Sequence, residues 1–173
     1  MHTTDPSAHE TLWKLIKDIR FGMLTHRHAG NAGHSGMLHS APLTTQNKSL
    51  DTHNTLYFFI SRESDLFHCV QQDGTVNVSY ADPGADTYVS LSGQAQPSDD
   101  AVKKEELWSP MAKAWFPGGV TDPALVLLTV RIDHAEYWDV KESKMVQLFK
   151  MAKAALTGEP PSGMGEHREL NLS

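Results

Sequence analysis

The sequence predicts a mainly β fold: an antiparallel sheet closed into a small barrel, with helices at its periphery. Three observations carry that prediction. Six apolar or alternating runs lie between turn-forming segments. Only one short helical pattern interrupts the first five of them, too few crossovers for a doubly wound parallel sheet. The 173 residues are the size of one ordinary domain with its own core. The barrel is placed in residues 1–158, with an N-terminal, a mid-chain and a C-terminal helix. Residues 159–173, rich in Pro and Gly, are expected to be a mobile tail.

The elements follow in order. Ser7 and Glu10 fit a capping box, and Leu12, Leu15, Ile16 and Ile19 share one helical face as far as about Arg20. Strands are expected at 21–27, 37–45, 55–61, 75–81 and 87–96. The Gly-rich stretch 28–36 is read as a loop, and Asp82, Pro83 and Gly84 as the turn of a hairpin. Val76, Val78 and Tyr80 alternate with Asn77 and Ser79, as on a sheet with one wet face. A short helix capped by Ser64 buries Leu66, Phe67 and Val70 and stops at Gly74. Another helix starts after Ser98 and breaks at Pro110, and a second stretch, 111–116, runs into Pro117. Residues 125–132 form the most apolar strand, and 145–156 a last helix ending at Gly158.

Composition excludes several function classes. With 15 Lys+Arg against 21 Asp+Glu the formal charge is -6, so nothing draws the whole chain toward nucleic acid or anionic lipid. A single cysteine, Cys69, allows neither an internal disulfide nor a thiolate cluster, which suits a reducing compartment, and no apolar run approaches bilayer length. The expectation is a cytoplasmic protein that binds neither nucleic acid nor membrane. Motifs for a P-loop, a nucleophile elbow, a zincin or a C-x-x-C pair are absent. Gly30 to Gly33 imitates a phosphate loop, but a strand follows it and it lacks a lysine.

Histidine is the compositional anomaly. His26, His28, His34 and His39 bracket one strand–loop–strand unit, and three converging rings could hold zinc or iron. A solvated polar loop is the plainer account, because no carboxylate or thiol sits beside them at ligand spacing, and no metal site is assigned. Aromatic residues mostly read as core, with Trp115 and Phe116, on a Pro- and Gly-bounded loop, as the exception suited to a ligand or a partner subunit.

Seven blocks, in order, carry a resemblance: LYFFISRES at 56–64, VNVSYADP at 76–83, YVSLSG at 88–93, LWSP at 107–110, AWFPG at 114–118, DP at 122–123 and AEYWD at 135–139. Together they resemble the general stress protein 26 family of pyridoxamine 5'-phosphate oxidase-like, FMN-binding split-barrel proteins, over roughly residues 8–158. The resemblance implies a six-stranded antiparallel split barrel, a homodimer, and FMN, with FAD as the alternative, at the subunit interface. By position it implies cofactor contacts from Ala41, Pro42 and Leu43 on one strand, beside which His39 and Ser40 are also candidates. Phe59, Ile60 and Ser61 would follow on the next, with Arg62 after them as a further candidate, Ser64 and Leu66 at the short helix, and Tyr88 and Trp115 from the partner subunit.

The chain departs from the family pattern where the phosphate is held. Ala41 stands at the arginine position and Leu66 at the lysine position, each a lost charge-assisted contact of roughly 1.5–3 kcal/mol. Flavin binding is therefore expected to be weakened, with His39, Ser61, Arg62, Ser64 and His68 as the remaining phosphate contacts. Three function readings follow. The first is a flavin-binding general stress protein, a weak flavin-dependent oxidoreductase if it is an enzyme. The second is a non-enzymatic stress or ligand-sensing dimer that has lost tight cofactor binding, and the third is a His-ligated metal or haem protein. No residue presents itself as a catalytic acid or base.

Overall fold

A computed structural model describes residues 6–30, 36–50, 53–139 and 166–170, together with residues 151, 153, 158 and 172. Helix α1 (Pro6–Ile16) leads into strands β1 (Phe21–Arg27), β2 (Leu38–Thr44) and β3 (Thr55–Ser61). Helix α2 (Asp65–Gln72), β4 (Thr75–Asp82), β5 (Thr87–Ser98) and α3 (Ala101–Leu107) follow, then two short 3-10 turns, β6 (Leu125–Asp139) and β7 (Glu166–Leu170). The sheet is antiparallel in the order β2-β1-β4-β5-β6-β3, and β7 joins β6. A single bridge, Thr45 to Phe58, brings its two ends together, backed by the Gln46 N–H donating to Tyr57 O at 2.8 Å. The barrel is thus closed at one point and split beyond it.

Alternation builds the interior. Leu24, His26, Leu56, Phe58, Ile60, Val76, Val78, Tyr80, Val89 and Leu91 all point inward. Leu12 and Ile16 of α1 and Phe67 and Val70 of α2 close the core from outside the sheet. Tyr80 carries its hydroxyl into this core, where burial pushes it up to about 12, and the Oη meets Thr45 Oγ1 at 2.5 Å beside the bridge. Gly74 follows α2 for a reason other than a left-handed turn: a Cβ there would meet the Ala95 carbonyl oxygen at 2.6 Å.

Strands β1 to β5 and the Ser64-capped helix match the sequence reading; four other expectations change. Helix α1 starts at Pro6, so Ser7 lies in its first turn and not at its cap, and it ends at Ile16. Residues 110–114 wind as a 3-10 turn, as the proline at its start favours. The sixth strand continues past Ile132 to Asp139 through a bulge at Ser92/Gly93 of β5, where Asp133 is the extra residue. Within the expected tail, Glu166–Leu170 pair with Ala135–Asp139 and Leu172 is buried, its carbonyl accepting from Asn54 Nδ2. Among the described residues the sheet therefore has seven strands. Most of the Gly-rich loop at 28–36, with His34, lies outside the described residues, as does most of the helix expected at 145–156, of which Met151 and Lys153 are helical. Among the described residues no helix is long and apolar enough to cross a membrane.

Candidate functional site

The split lies between β2 and β3. Continued from the Thr45–Phe58 bridge, an antiparallel register would set Leu43 opposite Ile60 and Ala41 opposite Arg62, but the ladder stops at the bridge. The two strands that the resemblance implicates therefore flank one seam, with α2 at its upper end. The pleat then divides the implicated residues. His39, Ala41 and Leu43 lie opposite the buried His26, Leu24 and Gly22, on the barrel's inner side with Ile60. Ser40 and Pro42 are exposed on the outer side, as are the half-buried Phe59 and Ser61. Only the outer four offer side chains to a molecule seated on the outer wall of the seam; the inner four reach it through backbone alone.

The β3–α2 corner is internally committed. Ser64 Oγ donates to the Ser61 carbonyl at 2.6 Å and accepts from the Phe67 N–H at 3.2 Å, which is the N-cap of α2. Ser61 Oγ accepts from the Glu63 N–H. Arg62 is turned away from the seam: its Nη2 donates to Asp99 at 2.6 Å, its Nε to the Pro123 carbonyl, and its guanidinium lies over Phe67. The same Asp99 oxygen takes a hydrogen bond from the buried Lys104, which also donates to Leu125 O. The Lys104 hydrogen bond, then the one from Arg62, holds the Asp99 carboxyl below the usual range. Leu66 is part of the hydrophobic core, so a lysine there would bury its ammonium.

Tyr88 and Trp115 lie elsewhere. Tyr88 is exposed on β5 opposite Trp138 of β6, whereas Ser61 pairs with Leu125 of β6. Thirteen residues of one strand separate those positions, about 40 Å along its length. Trp115, 83% exposed after the first 3-10 turn, is the most exposed large apolar side chain among the described residues. Neither meets the β2–β3 residues within one chain through any contact described.

The histidines do converge. His39 pairs with His26, their ring centroids 6.1 Å apart, and stands 4.6 Å from His28. Burial, with the neighbouring His39 and His28, lowers the pKa of His26. A cavity of about 310 Å³ lies beside them, lined by His28, Asp65, His68 and Cys69 among others. Asp65 in that wall opposes an anionic ligand. Among the described residues, three potential metal-ligating atoms come within 4.8 Å of one another only at His134, Glu136 and Glu169. Among the described residues of 26–39, which leave out His34, no three ligand atoms come that close.

The chain is similar to known proteins over most of its length. A family model described as pyridoxamine 5'-phosphate oxidase like matches residues 7–162. General stress protein 26 of Bacillus subtilis is 27% identical over 138 residues, 77% of this chain and 95% of that protein. A crystal structure from Xanthomonas citri, described as a general stress FMN/FAD binding protein, is 30% identical with a TM-score of 0.65, covering 80% of this chain and 93% of that one. A general stress protein 26 candidate from Jannaschia sp. CCS1 is 28% identical, TM-score 0.69, covering 96% and 99%.

Proposed function

Because the chain belongs to the pyridoxamine 5'-phosphate oxidase-like family, we propose that it is a cytoplasmic flavin-binding protein, acting as a homodimer, that grips the flavin ring system more than the phosphate. The observation that carries this reading is the joint placement of Ser40, Pro42, Phe59 and Ser61 on the outer wall of the β2–β3 seam. The Ser40 hydroxyl, bonded to Thr25 Oγ1 at 2.7 Å, and the Ser61 hydroxyl stand beside Phe59, whose ring packs with Trp108 at 5.9 Å, and such a polar and aromatic edge suits a planar ring. The Xanthomonas citri relative, described as FMN/FAD binding, supports the ligand class.

The phosphate end fits poorly. Ala41 and Leu66 replace the family's two cations, Leu66 is in the core, and Arg62 is held by Asp99. Two lost charge-assisted contacts amount to about two to four orders of magnitude in affinity. A bound flavin would supply the redox chemistry itself, while the protein positions the ring and limits its access to water.

Titration of the purified chain with FMN, FAD and riboflavin, read by flavin fluorescence, tests the proposal. Riboflavin and FMN are expected to bind within about tenfold of each other. Phe59→Ala, which removes the aromatic face on the outer wall, should weaken riboflavin and FMN alike by about tenfold or more. FMN binding more than about a hundredfold tighter than riboflavin would overturn ring-dominated binding. The absence of any isotherm would sink the flavin reading and leave the second one, a non-enzymatic ligand-sensing dimer, which the burial of Leu66 favours. Sedimentation as a 19.2 kDa species would contradict the homodimer.

A further inference from the structure

The outer face of the β6–β7 ladder gathers four ionisable side chains that the flavin reading does not use. His134 and Glu136 are two residues apart on β6 and so point the same way. The register sets Glu169 opposite Glu136 and His167 opposite Trp138, which puts both β7 residues on that face. The His134 Nε2 lies 2.8 Å from Glu136 Oε1, and the His167 Nε2 lies 3.4 Å from Glu136 Oε2. Ligand atoms of His134, Glu136 and Glu169 are within 4.8 Å of one another.

Two carboxylates directly opposite each other across an antiparallel ladder repel. Here that pair is flanked by two imidazoles. Two imidazole nitrogens and two carboxylate oxygens make a mixed donor set of the kind that suits zinc and its neighbours. Calcium and magnesium prefer six or more oxygens. A tetrahedral sphere with bonds of about 2.0–2.1 Å spaces its donors about 3.3 Å apart, and the two His–Glu contacts already straddle that spacing. Trp138 stacks on His167 at 4.7 Å with an interplanar angle of 2°, fixing the ring's orientation as outer-shell partners do around metal ligands.

We propose that His134, Glu136, His167 and Glu169 form a binding site for a zinc-class divalent cation that fastens β7 to β6. No other described residue set brings three ligand atoms this close. The ion would neutralise the Glu136–Glu169 pair and cross-link two segments some thirty residues apart in sequence. The site is separate from the β2–β3 seam, so it stands whether or not a flavin binds.

The test uses the full-length chain without a polyhistidine tag, stripped with a chelator and titrated with Zn2+ and Mg2+ by calorimetry. One Zn2+ per chain and no measurable Mg2+ binding are expected. At a hundredfold excess over Kd, Zn2+ should raise the melting temperature by about 5–10 °C. Glu169→Gln and His167→Ala should each weaken Zn2+ by at least about tenfold, while melting close to the parent chain in the absence of metal. Saturation of the parent chain with Ni2+ should quench tryptophan fluorescence, and Trp138→Phe should remove that quench while retaining Zn2+ binding. The proposal fails if the parent chain shows no saturable Zn2+ binding. It also fails if both β7 variants bind unchanged, or if binding is lost on His28→Ala, which would place the ion beside the 310 Å³ cavity instead.

Discussion

Strand β6 has two halves of different character. From Leu125 to Arg131 it runs between β3 and β5, and Leu125, Val126, Leu127 and Leu128 are buried one after another. From His134 to Asp139 it runs between β7 and β5, and only Ala135 and Tyr137 are buried. Covering layers make the difference. The outer side of the first half lies under the segment from Asp99 to Trp108, where Lys104 bonds the Leu125 carbonyl and Trp108 packs on Phe59. The outer side of the second half holds His134, Glu136 and Trp138, all at least partly exposed. An unbroken apolar run thus marks a strand covered on both faces, and alternation marks one wet face. The wet face carries the polar donor set proposed for the metal.

The largest expected effect breaks the joint between the halves. At Gly93, beside the bulge, a Cβ would lie 2.0 Å from the Arg131 carbonyl oxygen, backbone against backbone. Gly93→Ala should cost about 4 kcal/mol or more and lower the melting temperature by roughly 8–16 °C. A smaller loss would mean that the bulge can slide. Next comes Leu128→Ala, on a fully buried side chain of the covered half, at about 3 kcal/mol by urea denaturation.

Acid sensitivity sharpens the comparison. Asp99 in the segment over the covered half and Glu136 in the wet half are both held below the usual carboxylate range, by Lys104 and by His134 respectively as the leading partner. A depressed carboxyl contributes stability that is complete above its unfolded-state pKa and is lost as pH falls through the lower folded value. Both groups are exposed enough for salt to screen them. Chemical denaturation at pH 6 and pH 3 should show a shallower acid loss in Asp99→Asn, with the difference shrinking at high salt. An unchanged slope would mean that the lysine contact contributes nothing to folding. The smallest effect is expected for His134→Ala without metal, below about 0.5 kcal/mol.

The parts of the fold legible in the sequence are those whose pattern is local. The alternation of Val76, Val78 and Tyr80, the turn at Asp82 and the Ser64 cap each need only neighbouring residues. The second half of β6 was hidden because Asp133 interrupts the alternation, and a bulge is visible only against the partner strand. β7 was hidden more deeply: among Glu166 to Leu170 only Leu170 is apolar, and pairing with β6 makes the segment a strand. The candidate seam was partly legible. Blocks of similar sequence pointed to β2, β3 and the start of α2, yet the pleat divides those residues between two faces. Alternation around Phe58 and Ile60 could have shown that Ile60 faces inward. The shared face of His134 and Glu136 was hidden with that half of β6, and their partners from β7 were hidden too, because no local signal fixes that register.

Strand β2 has one further property. It pairs with β1 along one side and meets β3 only at the Thr45 bridge, so most of its other side is a free rim of the sheet. Such a rim is a template on which a second chain can add strands without limit. Pro42 sits at its middle and has no N–H to offer, a residue that sheets tolerate only at such a border. The proline that resemblance assigned to ligand contact thereby also guards against aggregation, and Pro42→Val would be a way to see whether the rim begins to recruit copies of itself.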